Sequence, residues 1–118
     1  MNTSTFKRLQ AEIAIWEAHN FGDRPAWQPL LGLQEELGEL SHAFLKRAQG
    51  IRGTPEKHTA DIKDACADLI IFLCDFANAE GIDLETVVAE TWAKVKERDW
   101  KKNPQNGMTI DEESFMKP

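Results

Sequence analysis

Apolar residues recur every three or four positions in four successive stretches of this chain, and glycine or proline separates the stretches. That spacing matches one face of an α-helix, and no run alternates long enough to make a half-buried strand. Phe6, Leu9, Ile13 and Trp16 form the first buried stripe, on a helix capped within Thr3 to Thr5 and running to about His19. Asn20-Phe21-Gly22-Asp23-Arg24-Pro25 breaks it, and Pro29 suits the first turn of the next helix. Leu30, Leu33, Leu37, Leu40 and Phe44 give that helix an apolar seam, which ends near Gly50-Ile51-Arg52-Gly53. Thr54-Pro55 opens a third helix, and Gly81 stops it after Glu80. Asp83 caps a fourth, with Leu84, Val88, Thr91 and Val95 on one face, running to about Lys101. The expected fold is all-α: an antiparallel four-helix-bundle-like protomer in residues 1–103, followed by a mobile tail, 104–118.

A chain of 118 residues, 42 % hydrophobic, makes one domain whose core is modest for four helices. Pairing with further copies would complete such a core, so a homo-oligomer is expected. Fourteen basic and twenty acidic residues leave a net charge of -6. This excludes a nucleic-acid-coating surface, and a polyanionic ligand would need a bridging cation. Cys66 and Cys74 lie two helical turns apart, on the order of 12 Å, too far for a disulfide between them. They read as reduced core residues. With no apolar leader and no membrane-length run, the expected setting is soluble and cytoplasmic, without a membrane partner.

On the third helix, Asp64, Asp68 and Asp75 fall within about 60° of Asp61, one narrow acidic strip with Asn78 at its margin. The adjoining arc of Ile62, Ala65, Cys66, Leu69, Phe72, Leu73 and Phe76 must be buried. A solvated face is the plain alternative for the strip. Solvated faces usually mix signs at four-residue spacing, however, and this strip has no basic residue beyond Lys63. On the second helix Glu36 and Glu39 border the leucine seam, while Glu35 points further towards solvent. Gly38, in mid-helix, costs ~1 kcal/mol relative to alanine, which points to close approach by a helix or a ligand.

Packed through their apolar arcs, these helices would set Glu36 and Glu39 against Asp64 and Asp68. Four carboxylates that close cannot all stay ionised without cations. Magnesium fits, since it takes hard oxygen ligands and shares itself with phosphates. His19, His42 and His58 are scattered and read as ordinary surface or boundary residues.

The stretch Gly32-Leu33-Gln34-Glu35-Glu36-Leu37-Gly38-Glu39-Leu40 resembles the Glu-Glu-x-x-Glu signature of MazG-like nucleoside triphosphate pyrophosphohydrolases. Ile62-Lys63-Asp64-Ala65-Cys66-Ala67-Asp68, with the apolar run after it, resembles the family's second acidic motif. The family's usual Glu-x-x-Asp has Ala65 at its glutamate position; Asp64 can substitute, and Asp61 is a rival. The resemblance implies an all-α fold, a dimer or dimer of dimers, and Mg²⁺-dependent hydrolysis, with Mn²⁺ a possible substitute. The products would be a nucleoside monophosphate and pyrophosphate. It makes Glu36, Glu39, Asp64 and Asp68 metal ligands, and Glu35 either a further ligand or the base that orients the water. A dUTP or phosphoribosyl-ATP hydrolase on the same scaffold, or a non-catalytic helical dimerisation module, are the rival readings.

For the substrate, Lys94, Arg98 and Lys101 can reach phosphates, or simply favour a helix C-terminus. Trp27, in the loop before the first acidic motif, can stack on a base or anchor the loop. Asn78 can bond sugar or phosphate.

Overall fold

The structure, a computed structural model, describes residues 5–108. Four helices follow in order: α1 (Thr5–Phe21), α2 (Trp27–Gln49), α3 (Pro55–Ala79) and α4 (Leu84–Val95). No strand occurs among the described residues, and none of these helices is long and apolar enough to cross a membrane. The proposed Thr3–Thr5 cap lies mostly outside the described residues, as does most of the predicted tail. The chain divides after Leu84 into two compact units, so α1 to α3 belong to the first and α4 beyond Leu84 to the second.

Local signals set the ends of α3 as the sequence predicts. Thr54 Oγ1 accepts from Lys57 N at 3.1 Å, with Pro55 in the first turn. Gly81 leaves the helix at φ 67°, and Ile82 N returns to Ala77 O at 2.8 Å. The short segment between α2 and α3 folds them into an antiparallel hairpin. Gly32 meets Phe72 at one end of it, and Arg47 Nη1 donates to Thr59 Oγ1 at 3.0 Å near the other. A Cβ at Gly32 would run into the Phe72 ring. Gly32→Ala should therefore destabilise the fold by about 1–3 kcal/mol in a urea titration, as overpacking does.

The faces buried in the first unit match the apolar stripes only in part. On α1 Phe6, Leu9 and Ile13 turn inward as the stripe predicts, with Gln10 and Glu17 buried beside them, whereas Trp16 is 55 % exposed. Hydrogen bonds hold Gln10 inside. Its Nε2 donates to Asn78 Oδ1 at 3.0 Å and Ile82 O at 2.7 Å, and its Oε1 accepts from Leu84 N at 3.2 Å. Asn78 Nδ2 returns a bond to Gln10 O. This fully paired amide couple ties α1 to the end of α3, beside a small core of Ile13, Cys74, Ala77 and Leu84. Arg24 makes the second tie. Its Nη2 lies 2.5 Å from both Asp75 oxygens and 2.9 Å from Glu17 Oε2, with the guanidinium over the Phe21 ring.

On α2 the buried positions are Pro29, Glu36 and Ala43, one heptad apart, while Leu30, Leu37 and Phe44 stay exposed. Leu33 and Leu40 of the seam are half-buried, so the helix buries its small and acidic side together with two of the five seam residues. Of the arc expected to be buried on α3, Ala65 is buried and Ile62, Leu69, Phe72 and Phe76 are half-buried, but Cys66 is exposed and Leu73 sits at 37 %. Only Cys74 fits the expectation of a core cysteine, and burial pushes its thiol pKa up.

In the second unit α4 stops at Val95, short of Lys101. Beyond it the backbone tightens into turns, with Glu97 N donating to Lys94 O at 3.2 Å and Arg98 N to Val95 O at 3.1 Å, and Asp99 Oδ1 accepts from the backbone N of Lys101 and Lys102. Asp99 N then donates to Gly107 O at 2.6 Å, folding Trp100 against Gly107.

Candidate active site

Antiparallel pairing of α2 and α3 turns two one-dimensional motifs into one groove of about 500 Å³. From α2 it is lined by Glu35, Gly38, Glu39, His42 and Ala43; from α3 by Asp61, Asp64, Ala65 and Asp68. Small residues on both walls keep the helices close while the longer carboxylates rim the opening. A Cβ at Gly38 would meet nothing within 4 Å, so no helix of the described chain needs this glycine. Its missing side chain widens the groove instead. Gly38→Ala should raise stability by about 0.5–1 kcal/mol through helix propensity. It should also weaken ligand binding in the groove, measured as a smaller ligand-induced rise in melting temperature.

The α2 carboxylates converge. Ligand oxygens of Glu35, Glu36 and Glu39 all lie within 4.8 Å of one another. Glu35 therefore belongs to the cluster, although its helical angle alone suggested solvent. Glu36 is buried at the hairpin seam, and its Oε2 has no hydrogen-bond partner among the described residues. Burial pushes its carboxyl pKa above the ordinary glutamate range, and the charges of Glu39 and Asp68 push the same way.

The acidic strip on α3 resolves into ends and middle. At one end Lys57 Nζ pairs with Asp61 Oδ2 at 3.0 Å; at the other, Arg24 holds Asp75. Neither cation was evident on the strip, because one sits a turn earlier and the other on the loop before α2. Among the described residues no ion pair reaches Asp64 or Asp68, nor Glu35, Glu36 or Glu39. Four of the carboxylates that line the groove, Glu35, Glu39, Asp64 and Asp68, thus have no cation among the described residues, and Glu36 beside Glu39 adds a buried orphan oxygen. That donor set of hard oxygens suits a divalent cation such as Mg²⁺.

The other candidate residues lie elsewhere. Trp27 is exposed in the first turn of α2, not in a loop, two turns before Glu35. Asn78 holds Gln10 with both ends of its amide. Lys94, Arg98 and Lys101 belong to the second unit. Sequence reasoning passed over His42, whose only signal was its place three residues after Glu39 on the groove face.

Residues 28–102 match the family described as "MazG nucleotide pyrophosphohydrolase domain". A protein described as "dATP/dGTP diphosphohydrolase", from Salmonella phage PMBT28, is 32 % identical over 103 residues, 86 % of this chain and 30 % of that relative. The chain therefore spans about a third of that relative's length. No solved structure matches.

Proposed function

We propose that this chain, which belongs to the MazG nucleotide pyrophosphohydrolase family, hydrolyses a nucleoside or deoxynucleoside triphosphate to the monophosphate and pyrophosphate with Mg²⁺ in the α2–α3 groove. The observation that carries this reading is the set of four groove carboxylates, Glu35, Glu39, Asp64 and Asp68, that no cation among the described residues pairs, next to buried Glu36 with its unpartnered oxygen. A purely structural acidic face would show the pairing seen at Asp61 and Asp75; the middle of the groove has none among the described residues.

Glu36, Glu39, Asp64 and Asp68 would hold the metal. Asp64 is chosen over Asp61 because Lys57 already neutralises Asp61. When bound, Mg²⁺ would offset phosphate charge and lower the pKa of a coordinated water. Glu35 is exposed at the groove rim, where its carboxylate would take a proton from the attacking water as the water oxygen bonds to the α-phosphorus. The bond from that phosphorus to the α–β bridging oxygen would break, and pyrophosphate would leave. Trp27, Lys94, Arg98 and Lys101 are retained as proposed base and phosphate contacts. Asn78 is the weakest member of that set, since its amide is already paired.

Purified protein incubated with Mg²⁺ and a nucleotide panel, dATP and dGTP first because of the phage relative's name, should release pyrophosphate from at least one of them. Release of orthophosphate, or action on a diphosphate or phosphoribosyl-ATP alone, would replace this substrate assignment. No release from any would remove the enzyme reading.

Metal and protons compete for Glu36. Its raised folded pKa means that its contribution to metal-free stability is present below the ordinary glutamate value and is lost as pH rises through the raised value. Mg²⁺ needs the ionised form, so its stabilisation runs the other way. At 100 times its Kd, Mg²⁺ should add about 2.7 kcal/mol near pH 8. Melting curves with and without Mg²⁺ should converge as the pH falls towards 4.

A homo-oligomer is part of the proposal. Leu30, Leu37 and Phe44 on α2, with Ile70 and Leu73 on α3, are exposed apolar side chains of the hairpin that a second copy would cover. Sedimentation should give at least a dimer, and Leu37→Glu should shift the mass towards the monomer.

A further inference from the structure

We infer that His42 is a substrate-contacting residue whose imidazole donates a hydrogen bond to a phosphate oxygen in the groove. This rests on the reading of the groove as a phosphate site and adds a contact that neither acidic motif contains. The argument is one of donors and acceptors. Phosphate oxygens only accept hydrogen bonds, as do carboxylate oxygens, which are the polar atoms that Glu35, Glu39, Asp61, Asp64 and Asp68 bring to the lining. The glycine and alanines of the lining carry no polar side-chain atom. Cations can satisfy the phosphate oxygens they bridge, but the others still need N–H or O–H donors in place of water.

Among the described residues lining the groove, His42 alone has a donor side chain. It keeps at least one ring N–H whether neutral or charged, so the contact survives a change of protonation state. Its place is also suitable. Glu35, Glu39 and His42 follow one another down one face of α2. The pairing of Gly32 with Phe72 and of Arg47 with Thr59 sets His42 about level with Asp64 on the facing helix. His42 thus stands just beyond the Glu35-Glu36-Glu39 cluster, where a phosphate chain held there would continue along the groove. No hydrogen bond to another described residue holds its ring, in contrast to His58, whose buried Nε2 is 2.9 Å from Ile51 O.

The test is calorimetric binding of inorganic pyrophosphate in the presence of Mg²⁺ to the wild-type protein, His42→Ala, His42→Gln and, as a control outside the groove, His19→Ala. Loss of one hydrogen bond to a charged group should weaken pyrophosphate binding roughly tenfold or more in His42→Ala. KM for the nucleotide should rise in step, and the shift in melting temperature caused by Mg²⁺ alone should stay at the wild-type value. His42→Gln, which keeps an N–H donor, should recover part of the affinity, and His19→Ala all of it. Affinity of His42→Ala within about twofold of wild type would overturn the contact while leaving the proposed function standing. Loss of the response to Mg²⁺ alone would overturn it too, because His42 would then act on the metal or the fold. A wild-type protein that binds no pyrophosphate would remove the proposed function and this contact together.

Discussion

Glu36→Gln is expected to raise the melting temperature of the metal-free protein while removing its activity. The two effects share one cause. Glu36 is buried beside Glu39 and Asp68, with an oxygen that no described donor satisfies. An ionised carboxylate there opposes folding until a cation arrives. Glutamine removes the charge, keeps the shape, and supplies N–H groups for which neighbouring carboxylates are ready acceptors. Metal-free stability should therefore rise, by roughly 3–5 °C in a thermal melt. The same change deletes a proposed metal ligand. Outer-shell partners of metals already cost about 10–100-fold when mutated, so loss of a direct ligand should lower kcat/KM by more than about 100-fold. The Mg²⁺-induced melting shift should vanish as well. Asp68→Asn should match the loss of activity with a smaller gain in stability, because Asp68 is only half-buried. If Glu36→Gln were destabilising but still active, Glu36 would be a structural residue and the site assignment would fall.

Arg24→Ala is expected to be the most damaging single change to the fold. Arg24 is the cation shared by Glu17 and Asp75, whose side chains are only 11 % and 6 % exposed. Removing it leaves two buried carboxylates facing each other, and breaking a buried pair in this way costs about 3–5 kcal/mol. The contact of the guanidinium with Phe21 goes with it. Burial already raises the Glu17 pKa, the Asp75 charge adds to that, and Arg24 opposes both. Without Arg24 the carboxyl is driven further up. Because a raised folded pKa favours the folded state on the acid side, the variant should regain stability as pH falls, more steeply than the wild type. Urea titrations at pH 5 and pH 8 measure this. An Arg24→Ala protein within about 1 kcal/mol of wild type at pH 8 would mean the triad carries no net stability.

These two residues also mark where sequence reasoning stopped. Helical periodicity with Gly and Pro punctuation determined the all-α class and the number of helices, because backbone capping and chain breaks are local. Thr54, Gly50 and Gly81 act at the ends of their helices within a few residues. The two acidic motifs were legible for the same reason: a spacing of three or four residues puts carboxylates on one face of any helix. The Glu-Glu-x-x-Glu stretch also carried the family resemblance that the comparison over residues 28–102 bears out.

Which face of each helix turns inward was decided only in three dimensions. Neighbouring positions on a helix differ by about 100°, so Trp16 and Glu17, or Leu37 and Glu36, compete for the inside. Hydrophobicity alone selects Trp16 and Leu37. The fold of the first unit buries Gln10 next to Leu9, because Asn78, Ile82 and Leu84 satisfy its amide. Glu17 is selected because Arg24 pairs with it, and Glu36 comes to lie at the seam with α3. Those partners lie far away in sequence, where periodicity carries no information about them. Ion pairing likewise separates Asp61 and Asp75, each with a cation of its own, from Asp64 and Asp68 between them, which no ion pair among the described residues reaches. The sequence by itself determined the helices and the carboxylates; the tertiary structure decided which carboxylates lack a partner, because a charge is compensated by what is near it in space.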